Sequence, residues 1–144
     1  MSKKSLILVI IQFSCFVFLG LGGHLWAKDY LLIFQIIVLL FTVWATLTLR
    51  LGNFNVQPEV KQNAKFVTSG PYKISRNPIY TGLLLFFGIG AFYNFNYYYI
   101  LVFIILSLVL ILKIQMEEVF LEKHFGDAYK QYKEKTFRLI PYIY

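Results

Sequence analysis

The sequence predicts an all-α, polytopic membrane protein with about four transmembrane helices and a C-terminal helical tail on the cytoplasmic side. Three observations carry that expectation. Hydrophobic residues make up 58% of the 144 and charged residues only 15%, the mean hydropathy is +0.63, and the apolar residues gather in runs near the length of a bilayer crossing. An ordinary soluble domain is about 45–50% apolar and about 25% charged, so this chain has too few polar residues to cover a wetted surface. The same composition excludes a disordered chain. A net charge of +7 would suggest a nucleic-acid partner in a soluble protein, but here its meaning depends on where the basic residues sit, and no nucleic-acid partner is expected.

Ser5–Trp26 is the first apolar run and Tyr30–Leu49 the second, each long enough to cross about 30 Å of hydrocarbon at about 1.5 Å per residue. Lys3 and Lys4 give the first run the opening of a signal peptide. Its length exceeds the usual core of about 7–15 residues, however, and Leu25-Trp26-Ala27 lacks the paired small residues of a cleavage site, so it is read as a spanning helix. Residues 79–93 form the third helix and 97–125 the fourth, whose strictly apolar part is Tyr97–Leu112. Only Asn94-Phe95-Asn96 separates them, which predicts a tight helical hairpin with an aromatic tip. Both are short as apolar runs and are expected to extend past those limits. Gly126 is read as the C-terminal stop of the fourth helix and Asp127 as the cap of a short helix after it. No repeat or linker divides the chain, which is read as one domain over residues 1–144, its oligomeric state left open.

Lys and Arg in short loops stay on the cytoplasmic side. Lys3 and Lys4 precede the first helix, Lys28 and Asp29 cancel after it, and Arg50, Lys61, Lys65, Lys73 and Arg76 face only Glu59 in the next connection. The hairpin tip has no charge, and the segment from Lys113 onward has six basic and five acidic residues. Both termini are therefore expected in the cytoplasm. The single cysteine, Cys15, allows no intramolecular disulfide and no cysteine-based zinc site. It lies in an apolar run and is read as a buried thiol rather than a lipoprotein cleavage site, since bulky Gln12-Phe13 precedes Ser14-Cys15.

The polar chemistry is confined to Arg50–Pro78 and Lys113–Tyr144, which meet at one membrane face. The first holds Val67-Thr68-Ser69-Gly70-Pro71-Tyr72 and then Arg76-Asn77-Pro78-Ile79-Tyr80-Thr81-Gly82. Gly70-Pro71 signals a turn, and Pro78 suits the first position of a helix. Arg76 and the two tyrosines are read equally well as interfacial anchors. The second holds Lys113, Glu117-Glu118, Glu122, His124-Phe125-Gly126, Tyr129 and Tyr132. Glutamates beside hydrocarbon are costly without partners, and an ion pair of Lys113 with Glu117 one turn away is the plainest explanation.

Together these residues resemble the isoprenylcysteine carboxyl methyltransferase and phospholipid methyltransferase group of integral membrane enzymes. The likeness runs from about Gln57 to Pro141, through Val67 to Gly70, Tyr72, Arg76, Pro78, Tyr80, Gly82, Glu117-Glu118, Phe125-Gly126, Tyr129, Tyr132 and Pro141. Asn77 stands where that group usually has His. The resemblance implies S-adenosyl-L-methionine as cofactor and a lipophilic acceptor entering from the bilayer, with methyl transfer at the cytoplasmic face to an isoprenylcysteine carboxylate-like group or a lipid amine. It implies cofactor contacts at Gln57, Ala64, Lys65, Phe66, Val67, Tyr72, Asn77, Pro78, Ile79, Tyr80 and Glu117, catalytic roles for Arg76 and Glu118, and substrate contacts at Lys113 and Arg138. Gly88 and Gly90 look like the Gly-x-Gly associated with the cofactor in the phospholipid branch, against an alternative of close helix packing through small residues. Lys113 stands where the prenylcysteine branch has Arg, which keeps the charge but not the two-pronged grip on a carboxylate. An amine acceptor would call for a base, for which Glu118 or His124 is a candidate.

Two other readings stay open on the sequence. Membrane sterol reductases using NADPH share R-x-P-x-Y-x-G and a C-terminal Tyr and Pro pattern, though they usually follow the Gly with Glu where Leu83 stands here. A non-enzymatic scaffold holding anionic head groups on its basic loop is the other. A metal site is not expected: Glu118 and Glu122 lie one turn apart, but His124 points away and His24 falls on the other membrane face.

Overall fold

The computed structural model describes residues 3–22, 25–49 and 65–140. These form α1 (Lys3–Leu21), α2 (Asp29–Leu49), a 3-10 turn (Gly70–Lys73), α3 (Pro78–Tyr93), α4 (Tyr97–Phe125) and α5 (Asp127–Lys135), with no strand among the described residues. The order across the layer is α1, α4, α3, α2, each packed on the next. Their directions alternate, so one end of the layer collects four termini. There Lys4 shares a groove with Phe120, the 3-10 turn packs on Thr48 at the close of α2, and Arg76 before α3 reaches Glu118 late in α4.

The burial pattern is the reverse of a soluble protein's. In α2 the buried residues are Gln35 and Ala45, while Ile33 and Leu40 are 60% and 63% exposed. Such an outward apolar face is stable only against lipid. Thr42, Thr46 and Thr48 turn their hydroxyls back onto carbonyls four residues earlier, which keeps those donors satisfied where there is no water. Inside, Cys15 and Leu19 of α1 pack on Leu106 and Leu110 of α4, and Phe16 stacks on Phe87 of α3 at 4.9 Å. By length and composition α1, α2 and α4 can cross a membrane, and α3 is a shorter apolar helix. The chain is thus a polytopic, all-helical membrane protein.

Three local expectations change. The first helix stops at Leu21, not Trp26. Gly20 and Gly22 weaken it there, and Gln35 of α2 claims the backbone beyond: its Oε1 accepts from Ala27 N at 2.7 Å, and its Nε2 donates to the carbonyls of Leu25 at 3.0 Å and Phe86 at 3.1 Å. α3 does not lengthen past its apolar run. It keeps 16 residues, about 24 Å, because Asn94 folds its N–H and amide back onto the Gly90 carbonyl. Asp127 is the first residue of α5 and not its cap, and its carboxylate pairs on the surface with Lys130 at 3.1 Å. Gly126 does end α4, at φ 59° and ψ −131°, a conformation essentially confined to glycine. His24 lies outside the described residues.

Candidate active site

The chain before α3 and the chain after α5 are joined first through backbone. Arg76 N donates to Phe137 O at 2.8 Å and Phe137 N to Ile74 O at 2.9 Å. Asn77 Nδ2 donates to the Arg138 carbonyl at 3.0 Å and Thr81 Oγ1 to that of Leu139 at 3.0 Å. Pro78, at the first position of α3, has no N–H to leave unsatisfied. The segment after α5 is thereby held across the mouth of α3.

Glu118 ties the same pieces together by charge. It is 3% exposed, and its Oε1 accepts from Arg76 Nε at 2.9 Å. Its Oε2 accepts from Arg138 Nε at 2.9 Å and Nη2 at 2.6 Å. Arg76 Nη1 goes on to the carbonyls of Lys133, at 3.0 Å, and Thr136. Both carboxylate oxygens are engaged by guanidinium groups, so the group is a clamp between α4, the start of α3 and the tail.

Glu117, one residue earlier, faces differently. Its Oε1 accepts from the Tyr80 hydroxyl. One turn back on α4, Lys113 lies with its Nζ 5.6 Å from the centre of the Tyr80 ring, and that ammonium donates to Gln12 Oε1 on α1 at 2.6 Å. The i,i+4 spacing puts Lys113 and Glu117 on one face, and α3 and α1 supply the partners from either side.

An aromatic group completes the cluster. Phe66 stacks on Phe125 at 5.0 Å and meets Tyr132 edge-on at 5.3 Å, with Tyr129 at 6.0 Å. Tyr132 donates its hydroxyl to the Tyr72 carbonyl at 2.6 Å. Burial pushes the phenols of Tyr72, Tyr129 and Tyr132 well above their usual range, so all three are neutral donors. The Tyr129 hydroxyl is buried with no hydrogen-bond partner among the described residues.

The structure therefore brings Phe66, Tyr72, Arg76, Asn77, Pro78, Tyr80, Lys113, Glu117, Glu118 and Arg138 to one end of the layer, with Ile79 and Val67 half-buried beside them and Lys65 exposed. It does not bring Gly88 and Gly90 there. They lie about 12 and 15 Å along α3 from Tyr80, where a Cβ on Gly88 would meet the Phe103 ring at 3.0 Å and one on Gly90 would collide with the Leu25 carbonyl. Close packing accounts for both. Gln57, Ala64 and Pro141 lie outside the described residues. Glu122 pairs with Lys133 at 3.0 Å, and His124 is exposed against the Phe125 ring.

Gln12 was not expected at the site, although a Gln inside an apolar run is itself a signal, since a polar side chain at that depth needs a partner. Tyr129 was seen only as part of a motif; its lack of a partner is a tertiary fact.

The model of the phospholipid methyltransferase family matches residues 30–128, well over half of the chain. The match begins in α2, takes in Arg76, Tyr80, Lys113, Glu117 and Glu118, and leaves out α1 with Gln12. No curated protein matches the chain. Apolar helices of spanning length and the matched family make it an integral membrane protein of methyltransferase type. The chain belongs to the phospholipid methyltransferase family.

Proposed function

We propose that the chain transfers a methyl group from S-adenosyl-L-methionine to a lipophilic acceptor, an isoprenylcysteine carboxylate-like group or a lipid amine, at the cytoplasmic membrane face. The observation that carries this reading is the hydrogen-bonded Tyr80–Glu117 pair, set between α3 and α4 beside the buried aromatic group and inside the matched stretch. The residues fit the cofactor's chemistry. Glu117 offers a carboxylate to its cationic groups, Tyr72 and Tyr80 offer π faces, and Phe66, Tyr129 and Tyr132 gather aromatic surface of the kind a flat ring packs on. The Tyr129 hydroxyl is a buried polar group with a bond still to make. The basic residues at this end, Lys3, Lys4, Lys73 and Arg76 among them, support its cytoplasmic orientation.

When bound, the cofactor supplies a methyl group already activated on sulfonium, so the protein's work is alignment and exclusion of water. Tyr80 fixes the Glu117 carboxylate. Arg76 and Arg138, through Glu118, hold the tail across the mouth of α3. That engagement removes Glu118 as a base, and we assign it and Arg76 to holding the site together and not to the reacting atoms. His124, on the outer surface, is not placed as a base either. The arrangement suits an acceptor that arrives with its attacking lone pair free, by lateral diffusion between helices.

Purified protein incubated with radiolabelled cofactor and a total lipid extract should pass label to a lipid species. Tight NADPH binding, with no binding of S-adenosyl-L-methionine or its demethylated product, would overturn the reading in favour of a reductase.

A further inference from the structure

We infer that Gln12 of α1 is a positioning residue for this site, holding the Lys113 ammonium over Tyr80 so that it does not take the Glu117 carboxylate from the Tyr80 hydroxyl. The inference rests on the cofactor reading of the Tyr80–Glu117 pair. Gln12 and Lys113 are 6% and 1% exposed and join α1 to α4 across 101 positions at 2.6 Å. A polar pair buried this deeply in an apolar layer is retained only where its groups satisfy each other. Among the described residues the ammonium lies between the neutral amide oxygen of Gln12 on α1 and the carboxylate of Glu117 at i+4 on its own helix. On charge alone the carboxylate is the stronger partner. The structure nevertheless has Lys113 on Gln12 and Tyr80 on Glu117.

α1 is built to hold that choice. Ser5, Gln12 and Leu19 recur at seven-residue spacing, with Cys15 between, and are the buried residues of the helix. Such a stripe fixes the rotation of α1 against α4 and so fixes where the Gln12 amide points. The ammonium, in turn, lies over the Tyr80 ring and steadies it. With the Gln12 oxygen gone, Lys113 swings one turn along α4 to Glu117, Tyr80 loses its acceptor, and the carboxylate is neutralised where the cofactor needs it.

The test is binding of S-adenosylhomocysteine, the demethylated cofactor, to the full-length protein in lipid nanodiscs. Gln12→Leu should weaken it about tenfold, and Gln12→Glu, which keeps an oxygen at the same reach, should stay within about twofold of the wild type. The decisive variant is Gln12→Leu with Lys113→Met. It should recover affinity to within about threefold of the wild type because the competing ammonium is gone. Wild-type affinity in Gln12→Leu would overturn the inference. So would a double variant as weak as Gln12→Leu, which would mean that Gln12 acts through packing. A wild-type protein that binds no S-adenosylhomocysteine takes down the cofactor reading, whereas a binding wild type with either result above takes down the role of Gln12 alone.

Discussion

Glu117 and Glu118 are adjacent in the chain, yet they belong to regions with different physics. Glu118 is surrounded by guanidinium groups and its bonds all lead to elements that must be tied together, α4 to the start of α3 and to the tail. Glu117 meets a single phenol in a row whose other members, Lys113 and Gln12, come from α4 and α1. The successive directions of neighbouring residues on a helix, about 100° apart, send one carboxylate to the clamp and the other to the row. A buried charge with all its bonds made inside the fold has little left to offer a ligand. One bonded to a neutral phenol keeps oxygen lone pairs that a ligand can still engage. A pair of acidic residues in a motif is therefore no guide by itself to which of them does chemistry.

That division can be broken at several points. Glu118→Ala should have the largest effect, since it removes the buried carboxylate that Arg76 and Arg138 share. A loss of about 3–5 kcal/mol is expected for breaking a buried pair on one side, read as a large fall in the thermal unfolding temperature in detergent. Glu117→Gln should do the opposite: the shape and the bond from Tyr80 persist, stability changes by less than about 1 kcal/mol, and affinity for S-adenosylhomocysteine falls about tenfold or more with the lost charge. If the two variants lose stability equally, the distinction between clamp and row fails. Tyr80→Phe should follow with a loss of about fivefold in the same affinity, from one hydrogen bond to a charged acceptor. Tyr129→Phe should be smallest and of reversed sign in stability, a gain of up to about 1 kcal/mol on removing a buried hydroxyl without a partner, with weaker cofactor binding if that hydroxyl serves the ligand.

The helices were legible where local composition decides them. α2, α3 and α4 fall within one residue of their expected starts and at their expected ends, because each boundary but the end of α2, where Arg50 follows, is marked by Asp, Asn, Pro or Gly against an apolar run. The end of α1 was not, since it depends on Gln35 reaching back to residues 25 and 27 while also bonding Phe86. At the site, motif order was enough to gather Arg76, Tyr80, Lys113 and Glu117. What each touches was beyond it: Arg76 reaches backbone carbonyls at and after the end of α5, and Lys113 bonds Gln12, 101 positions away on a helix with no motif. Long-range pairing of polar groups leaves no periodicity to read.

The brevity of α3 sets the depth at which this chemistry takes place. At about 24 Å it falls some 6 Å short of a typical hydrocarbon core, a mismatch that membranes relieve by thinning locally around the short element. Tyr97 and Tyr98, exposed beside the hairpin tip, are suited to anchor that end in the interfacial region. The shortfall then falls at Pro78. The Tyr80–Glu117 pair would sit in a dimple of the bilayer, level with the ester groups of surrounding lipids and below their charged heads. Thicker, more ordered membranes would deepen that dimple and tax the reaction, so bilayer thickness becomes a determinant of where in a cell such a protein can work.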